Sequence, residues 1–286
     1  MPRKFSFAWQ LAFTLCVAAF ILVPMGMSIL AGFTENYFRG PSAGLTLRWV
    51  GEIWSRYGDT VQYSMVLALA CLTVDLLVGV PAAYALIKRP SRATRLFEEL
   101  IVLPVAIPGL ATALALVITY GGFGHFRTSW AFLLVGHVLY TMPFMIRTVM
   151  AVLASIHLKE MEEGAASLGA GFWTRLVTIA LPNAAPGVLA GALTVLTLSI
   201  GEFNLTMLMS TPMTQTLPVA LAVAYTNSRI ELASAYTIMF FLMIVPLLIA
   251  MQFWGNPMRK SKKPGKSGRP DQQGHGAAAA PARRTL

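Results

Sequence analysis

The sequence predicts an all-α, polytopic membrane protein with about six transmembrane helices. Hydrophobic residues make up 56% of the 286-residue chain and charged residues only 12%, whereas soluble proteins average about 25% charged residues. The mean hydropathy is +0.64. The chain also contains six separate apolar runs, each roughly 20 residues long and so able to cross about 30 Å of hydrocarbon as a helix.

The first apolar run, at about 9–31, follows Arg3 and Lys4 and exceeds the roughly 7–15 residues of a signal-peptide core, so we expect an uncleaved anchor. The other five runs are expected at about 61–87, 100–120, 130–150, 186–209 and 233–254. Pro104 and Pro108 interrupt the third of the six, and both are expected to disturb its helix.

Lys and Arg are spread unequally among the loops, which predicts the topology because short loops rich in these residues stay cytoplasmic. With both termini in the cytoplasm, 17 of the 22 Lys and Arg residues lie on that side. We therefore expect a multi-pass membrane protein with both termini in the cytoplasm. Its predicted parts are a short cytoplasmic segment at 1–8, a transmembrane domain at 9–256 with a cytoplasmic loop at 151–185, and a tail at 257–286.

The formal net charge of +10 comes mostly from the tail, which has few large apolar residues. We expect this tail to be disordered and to contact anionic lipid headgroups, and we expect no nucleic-acid partner. Gly265-Lys266-Ser267 resembles the end of a phosphate-binding loop, but Lys260 stands where such a loop needs Gly. Any ATP hydrolysis is therefore expected in a separate subunit, and the chain is not expected to be an enzyme.

Reactive and metal-binding side chains give no positive signal. Cys16 and Cys71 both fall inside apolar runs, and the four His residues are scattered along the chain without the spacing of metal ligands. We expect no catalytic residue, no metal site and no cofactor.

The cytoplasmic loop carries a charged cassette, Glu162-Glu163-Gly164-Ala165-Ala166-Ser167-Leu168-Gly169. Apolar residues at helical spacing predict a short helix from Leu158 with one apolar stripe, formed by Leu158, Met161, Ala165 and Leu168. Gly169 and Gly171 are expected to end it. A second helical stretch is expected at 172–179, and Pro182 is expected to break the path before the fifth span.

Two interpretations fit this amphipathic loop. It could lie flat on the bilayer surface, or it could dock onto another protein. Its polar face presents three Glu residues against one Lys, which suits a basic groove of a protein better than an anionic leaflet.

The cassette and its spacing to Ile179, Leu181 and Pro182 resemble the cytoplasmic EAA loop of the permease subunits of binding-protein-dependent ABC importers with the type I fold. The family pattern is Glu-Ala-Ala, three residues, Gly, nine residues, Ile, one residue, Leu-Pro. Gly164 stands where the family usually has its first Ala. Further segments also look like this family: Pro81-Ala82-Ala83-Tyr84-Ala85, Leu103-Pro104, Pro108-Gly109 and Thr216-Leu217-Pro218-Val219.

The resemblance implies a coupling helix in this loop that docks on a separate ATP-binding subunit. It gives the coupling role to Glu163, Ala165, Ala166, Gly169, Ile179, Leu181 and Pro182. In that role Glu163 pairs with a basic residue of the ATPase, and Leu181 and Pro182 set the angle at which the fifth span enters the membrane. The other implied partners are a second permease subunit, identical or homologous, an extracytoplasmic solute-binding protein and the lipid bilayer. The implied location is the bacterial inner (plasma) membrane.

Four polar residues are candidates for a solute pathway: Asp75, His137, Glu202 and Asn204. A charge in mid-span costs at least about 2.5–3.5 kcal/mol on insertion scales, so Asp75 should face protein or water or be protonated. Such side chains can equally serve as hydrogen-bond partners between helices.

The sequence therefore favours the permease subunit of an ATP-driven importer. The alternative is an ion-coupled secondary transporter or channel with Asp75 and Glu202 as ion or proton sites, and a third possibility is an assembly factor without transport. In overall look the chain is closest to permeases for polyamines, ferric iron, sulfate and aminoethylphosphonate, with the last favoured. No cluster in the spans selects a charge sign.

Overall fold

The regular structure is helical throughout residues 2–254, which are the residues that the computed structural model describes. Within that range there is no β-strand, only an isolated bridge between Thr34 and Leu45. The predicted all-α class is confirmed. The helix α1 already begins at Pro2, inside the predicted cytoplasmic segment at 1–8. The tail predicted at 257–286 lies outside the described residues.

In chain order the helices are α1 (Pro2–Ala31), α2 (Arg48–Arg56), α3 (Gly58–Val74), α4 (Val80–Lys88), α5 (Arg92–Ala106), α6 (Gly109–Tyr120), α7 (Gly124–Arg127), α8 (Trp130–Ser155), α9 (Leu158–Ser167), α10 (Phe172–Arg175), α11 (Leu181–Gly201), α12 (Asn204–Met209), α13 (Leu217–Thr226) and α14 (Ile230–Trp254). A 3₁₀ segment occupies Tyr37–Ala43. Two π turns join helices without a break: Asp75–Gly79 continues α3 into α4, and Leu176–Ala180 continues α10 into α11.

Five helical stretches are long and apolar enough to cross a membrane: Phe7–Ala31, Gly58–Lys88, Trp130–Ser155, Phe172–Gly201 and Ile230–Phe253. The helices α5 and α6 are bent by 100° relative to each other. If this bent pair is one span, the described residues hold six spans, as predicted.

The bend between α5 and α6 follows from Pro108. Ile107 before it is extended, with φ −87° and ψ 137°, because a following proline ring disfavours the helical conformation. Pro104 instead lies within α5. Only one of the two prolines expected to interrupt this span does so.

The prediction that Pro182 breaks the path into the fifth span is wrong. The chain stays helical from Phe172 to Gly201, and Pro182 lies in the first turn of α11. In the preceding π turn the N–H of Leu181 bonds the carbonyl oxygen of Leu176, five residues earlier, so the helix is widened just before Pro182. Pro182 itself has no N–H to place in the ladder of bonds. The two features together accommodate Pro182.

The fifth span ends earlier than the predicted 209. Its helix α11 ends at Gly201, and Glu202 is extended, with φ −70° and ψ 121°. The Glu202 carboxylate accepts the N–H groups of Leu205 and Thr206 at 2.8 and 2.9 Å. Because this carboxylate caps the next turn, a separate helix, α12, begins there.

Helices α8 and α11 form the most extensive helix pair of the described chain, and the loop with α9 connects them. A Cβ placed on Gly187 of α11 would lie 2.9 Å from Cγ2 of Val152 and 3.1 Å from the carbonyl oxygen of Thr148. Small residues at such crossings let the backbones of membrane helices approach closely. The crossing therefore fixes where the two ends of the loop that contains α9 are held.

Candidate coupling site and buried polar network

Helix α9 ends in a turn that depends on Gly169. The φ of Gly169 is +86°, a left-handed conformation that glycine adopts at little cost. Its N–H donates to the carbonyl oxygen of Ala166 at 2.9 Å, and the N–H of Ala170 donates to that of Ala165 at 3.0 Å. These two bonds form a Schellman motif, which satisfies the last carbonyls of the helix. The predicted stop at Gly169 is confirmed.

The residues expected to couple to an ATPase lie before and after this turn in the chain, on α9, the second π turn and the start of α11. The Glu163 side chain is 67% exposed, and its carboxylate lies 3.8 Å from Nζ of Lys159 on the same helix. Ala165 and Ile179 are half-buried, whereas Ala166, Leu181 and Pro182 are exposed. The glutamate that carries the resemblance is therefore accessible from the surface.

The side chains of the predicted apolar stripe on α9 differ in their burial. Leu158 is buried, but Leu168 is 89% exposed and Met161 is also exposed. Trp173 on α10 is exposed as well. The reason is that α9 turns its Glu162 side toward the protein, which leaves Met161 and Leu168 outside.

Glu162 is the buried glutamate of the cassette, and sequence analysis did not single it out. The Tyr84 hydroxyl donates to its Oε1 at 2.6 Å, and Nζ of Lys88 lies 2.9 Å from its Oε2. A signal was present in the sequence: Tyr84 and Lys88 are four residues apart on one helix face, at the end of the second span. That face could receive one of the cassette's carboxylates.

The surroundings of Glu162 favour its charged form. Burial alone would raise the pKa of this carboxyl group, but the hydrogen bonds from Tyr84 and Lys88 and the charges of Lys88 and Arg175 outweigh that effect. The pKa of Glu162 therefore lies below its ordinary value. Ionisation of Glu162 and attachment of α9 to α4 are thus linked.

We expect α9 to loosen from α4 in acid. Because the pKa of Glu162 is lower in the folded protein, its contribution to stability is present above the ordinary carboxyl pKa and is lost as the pH falls through the folded-state value. Hydrogen-exchange protection of the α9 amides, corrected for intrinsic rates, should decrease below about pH 4. In Glu162→Gln the protection should not change with pH over this range. An equal decrease in that variant would contradict the assignment.

A second polar cluster lies between the membrane-spanning helices. His137 on α8 bonds Ser199 of α11 through Nδ1 at 2.8 Å and Thr206 of α12 through Nε2 at 2.9 Å. The Thr206 hydroxyl donates to Oε2 of Glu202 at 2.8 Å. Because its single proton is used there, Nε2 of His137 must be the donor to Thr206. These buried side chains tie three helices together.

Helix α12 is held at both ends by charged side chains. The Glu202 carboxylate lies at its N-terminus, and Arg127 donates from Nη1 to the carbonyl oxygen of Met209 at 2.8 Å and from Nη2 to that of Leu208 at 3.1 Å. A negative group at the start and a positive group at the end complement the helix dipole and satisfy terminal backbone groups. Sequence analysis missed Arg127.

Asp75 lies in the π turn of the second span and is buried. The Thr141 hydroxyl donates to its Oδ2 at 2.6 Å and also lies 3.1 Å from Sγ of Cys71. Asn204 is exposed, next to Gly109 at the break between α5 and α6. Three of the four pathway candidates thus bond to neighbouring helices or to the next turn of chain, and only Asn204 faces outward. Within residues 2–254, no group of three His, Cys, Asp or Glu side chains is placed to hold a metal ion.

The sequence profile of one protein family matches residues 75–259 and is described as "Binding-protein-dependent transport system inner membrane component". The match begins at the π turn of the second span and includes the loop with α9. It covers more than half of the chain.

Curated relatives align along most of their length. The sulfate transport system permease protein CysW of Synechocystis is 26% identical over 87% of this chain and 93% of its own. PhnV of Salmonella typhimurium, provisionally named a 2-aminoethylphosphonate transport system permease protein, is 28% identical over 88% of this chain and 94% of its own. The spermidine/putrescine transport system permease protein PotC of Escherichia coli is 26% identical over 72% and 78%.

A solved structure shows the same fold. A chain of a bacterial alginate ABC transporter, in complex with a pentasaccharide-bound periplasmic protein, superposes with a TM-score of 0.63 at 17% identity, over 86% of this chain and 91% of that chain. The family match, the relatives and the helical architecture agree, and the chain belongs to the inner membrane components of binding-protein-dependent transport systems.

Proposed function

We propose that this permease subunit moves a small solute, delivered by an extracytoplasmic binding protein, across the membrane, and that α9 docks on a separate ATP-binding subunit that supplies the energy. The observation that carries the proposal is the position of α9. The helix is fixed to the spans through Glu162 and presents the adjacent Glu163 to solvent. A docking helix needs both properties, because it must hold a partner and pass on its movement.

The outer surface of the loop supports docking onto a groove with an apolar floor and a basic edge. Its exposed apolar side chains are Met161, Leu168 and Trp173. Glu160 and Glu163 supply negative charge beside them. A helix that only lay on an anionic leaflet would need basic residues at these positions, so this surface favours a protein partner.

The proposal also includes a second permease subunit, both termini in the cytoplasm, and 2-aminoethylphosphonate as the first solute to test. The orientation is supported by the excess of Lys and Arg in the loops assigned to the cytoplasm. The solute is supported by the similarity to PhnV. Sulfate and a polyamine are the comparison solutes for an uptake assay, because CysW and PotC are named for them.

The family match favours this function over an ion-coupled transporter. Asp75 and Glu202 would be the ion sites in the alternative. Glu202 is used as a helix cap through two backbone N–H groups, and Asp75 accepts the Thr141 hydroxyl. These bonds give both carboxyl groups a structural role.

The docking proposal is tested with Glu163→Arg in the full chain, purified from native membranes. We expect the wild-type chain to bring down an ATP-binding subunit and the variant to retain at least about tenfold less of it, a loss of roughly 1.4 kcal/mol, because the new charge repels a basic groove. The matched control is Glu99→Arg, the same charge change at an exposed position of α5. Equal recovery of the ATP-binding subunit with Glu163→Arg and Glu99→Arg would refute docking through α9.

A further inference from the structure

We infer that Tyr84, Lys88 and Glu162 form a joint that makes the cytoplasmic end of the second span move with α9 as one body. This assigns a positioning role to three side chains outside the seven coupling residues. The joint is formed by contacts within this one chain and needs no partner subunit. Its use in transport rests on the proposed function.

The geometry of the joint fixes the carboxylate from two sides. Oε1 of Glu162 accepts the Tyr84 hydroxyl at 2.6 Å, and Oε2 lies 2.9 Å from Nζ of Lys88. Lys88 also donates to the Tyr84 oxygen at 2.8 Å, which closes a ring of three contacts. Because each carboxylate oxygen has its own partner, the Glu162 side chain can neither rotate nor slide along α4 without losing a bond.

Burial distinguishes this ion pair from the other one on α9. The Glu162 side chain is only 5% exposed, and that of Lys88 is 31% exposed. In the Lys159–Glu163 pair the side chains are 64% and 67% exposed and the charged atoms are 3.8 Å apart. Exposed pairs are screened by water and contribute little, whereas removing one partner of a buried pair leaves an uncompensated charge. Adjacent glutamates thus have opposite surroundings.

Helix α10 adds a third element to the joint. The ring of Phe172 lies 6.4 Å from that of Tyr84, and Nζ of Lys88 lies 5.0 Å from the centre of each of these rings. Cations over aromatic faces are attracted to them. The end of α4 is therefore held by the helix before the Gly169 turn and by the helix after it, so a displacement of the loop would carry α4 along.

The joint lies at one end of a span that has a π turn in its middle. The second span runs from Gly58 to Lys88 as one helix, with its π turn at Asp75–Gly79. Local departures from α-helical bonding of this kind are frequent at functional sites. Motion entering at Lys88 would reach Asp75, which is bonded to Thr141 of α8. The second span is thus placed to carry displacement from the loop into the bundle.

The test measures the distance between α4 and α9 by double electron–electron resonance. Nitroxide labels are attached at Arg89→Cys and Ser167→Cys, both at exposed positions, in a Cys16→Ala background where the remaining Cys71 is buried. The shortest label-to-label distance is the one between positions 89 and 167 of the same chain. We expect its distribution to be narrow in the chain alone. We expect the same distribution when the complex with its ATP-binding subunit is trapped with ATP and vanadate. A shift of that distance on trapping, with the joint intact, would overturn the inference.

Breaking the joint should uncouple the two helices without removing the docking surface. In Glu162→Gln we expect a broadened distance in the chain alone and, in the complex, ATP hydrolysis with at least tenfold less uptake per ATP while the ATP-binding subunit still co-purifies. The solute probe is 2-aminoethylphosphonate, with sulfate and spermidine in parallel. Lys159→Gln, which breaks the exposed pair, is the matched control and should leave distance and coupling unchanged.

A charge exchange separates a positioning role from a folding defect. Lys88→Glu alone should broaden the distribution of distances between the two labels. The double variant Lys88→Glu with Glu162→Lys should make this distribution narrow again and restore the coupling of ATP hydrolysis to uptake. Failure of the exchange to restore either readout, in protein that elutes as a folded species, would overturn the inference, as would an unchanged distance in Glu162→Gln. If no ATP-binding subunit co-purifies with the wild type, the proposed function fails, while the distances in the chain alone still decide whether the joint exists.

Discussion

Replacing Glu202 with Ala is expected to unfold α12 and to lower the thermal stability of the whole chain. The substitution removes the acceptor of three donors, which are the N–H groups of Leu205 and Thr206 and the Thr206 hydroxyl. Leu205 and Thr206 are buried, and each buried donor without a partner costs about 1–3 kcal/mol. We expect a loss of about 3 kcal/mol or more, which corresponds to roughly 6 °C in the unfolding midpoint of a chain of this size.

Asn204→Ala is the matched control for this experiment, because Asn204 is exposed and lies in the first turn of the same helix. Its midpoint in detergent should stay close to that of the wild type. Equal midpoints for Glu202→Ala and Asn204→Ala would refute the capping role. Glu202→Gln keeps one acceptor oxygen and should fall between them. Lost transport in a Glu202→Gln protein of normal stability would instead restore the pathway role first considered for this residue.

The spans could be predicted because crossing a bilayer imposes a simple requirement of length and hydropathy. A helix needs about 20 apolar residues, and the runs in this chain satisfy that count without reference to tertiary contacts. The break before Gly109 and the turn at Gly169 could also be predicted, because proline and glycine restrict or free the backbone conformation of the chain at their own positions. These are local properties, so the sequence around them is sufficient.

The role of Glu162 could not be derived in the same way. Glu162 and Glu163 are adjacent and chemically identical, and the helical pattern of the loop does not say which one faces the protein. The choice depends on where Tyr84 and Lys88 lie in space, almost 80 residues earlier in the chain. The resemblance pointed to Glu163 for a partner, and the apolar stripe did not indicate that Glu162 would be buried while Met161 and Leu168 stay exposed.

The end of the fifth span was misplaced for a related reason. Residues 201–209 are apolar enough to continue a membrane helix, so hydropathy gives no stop. The helix ends because the Glu202 carboxylate bonds the next turn and Thr206 bonds His137. Glu202, a polar residue in an apolar run, was interpreted as a pathway candidate. In the structure its carboxylate instead accepts backbone N–H groups three and four residues later.

Gly187→Ala is expected to destabilise the crossing of α8 and α11, whereas Gly191→Ala on the same face is expected to be tolerated. A methyl group on Gly187 would lie 2.9 Å from Val152 Cγ2 and 3.1 Å from a backbone oxygen, neither of which can move freely. At Gly191 the nearest atom, at 2.8 Å, is the sulfur of Met145, a flexible side chain. Both changes gain the same helix propensity, about 1 kcal/mol, so this term cancels in the comparison.

Overpacking at a rigid contact typically costs about 1–3 kcal/mol, so the Gly187→Ala variant should unfold several degrees below Gly191→Ala in detergent, about 4 °C for a difference of 2 kcal/mol. If α9 docks on an ATP-binding subunit as proposed, Gly187→Ala should also retain less of that subunit, because α8 and α11 hold the two ends of the loop that contains α9. Equal unfolding midpoints for the two variants would show that the helices can separate at Gly187 without cost. In that case the position of α9 would have to be set by the joint at Glu162 rather than by this crossing.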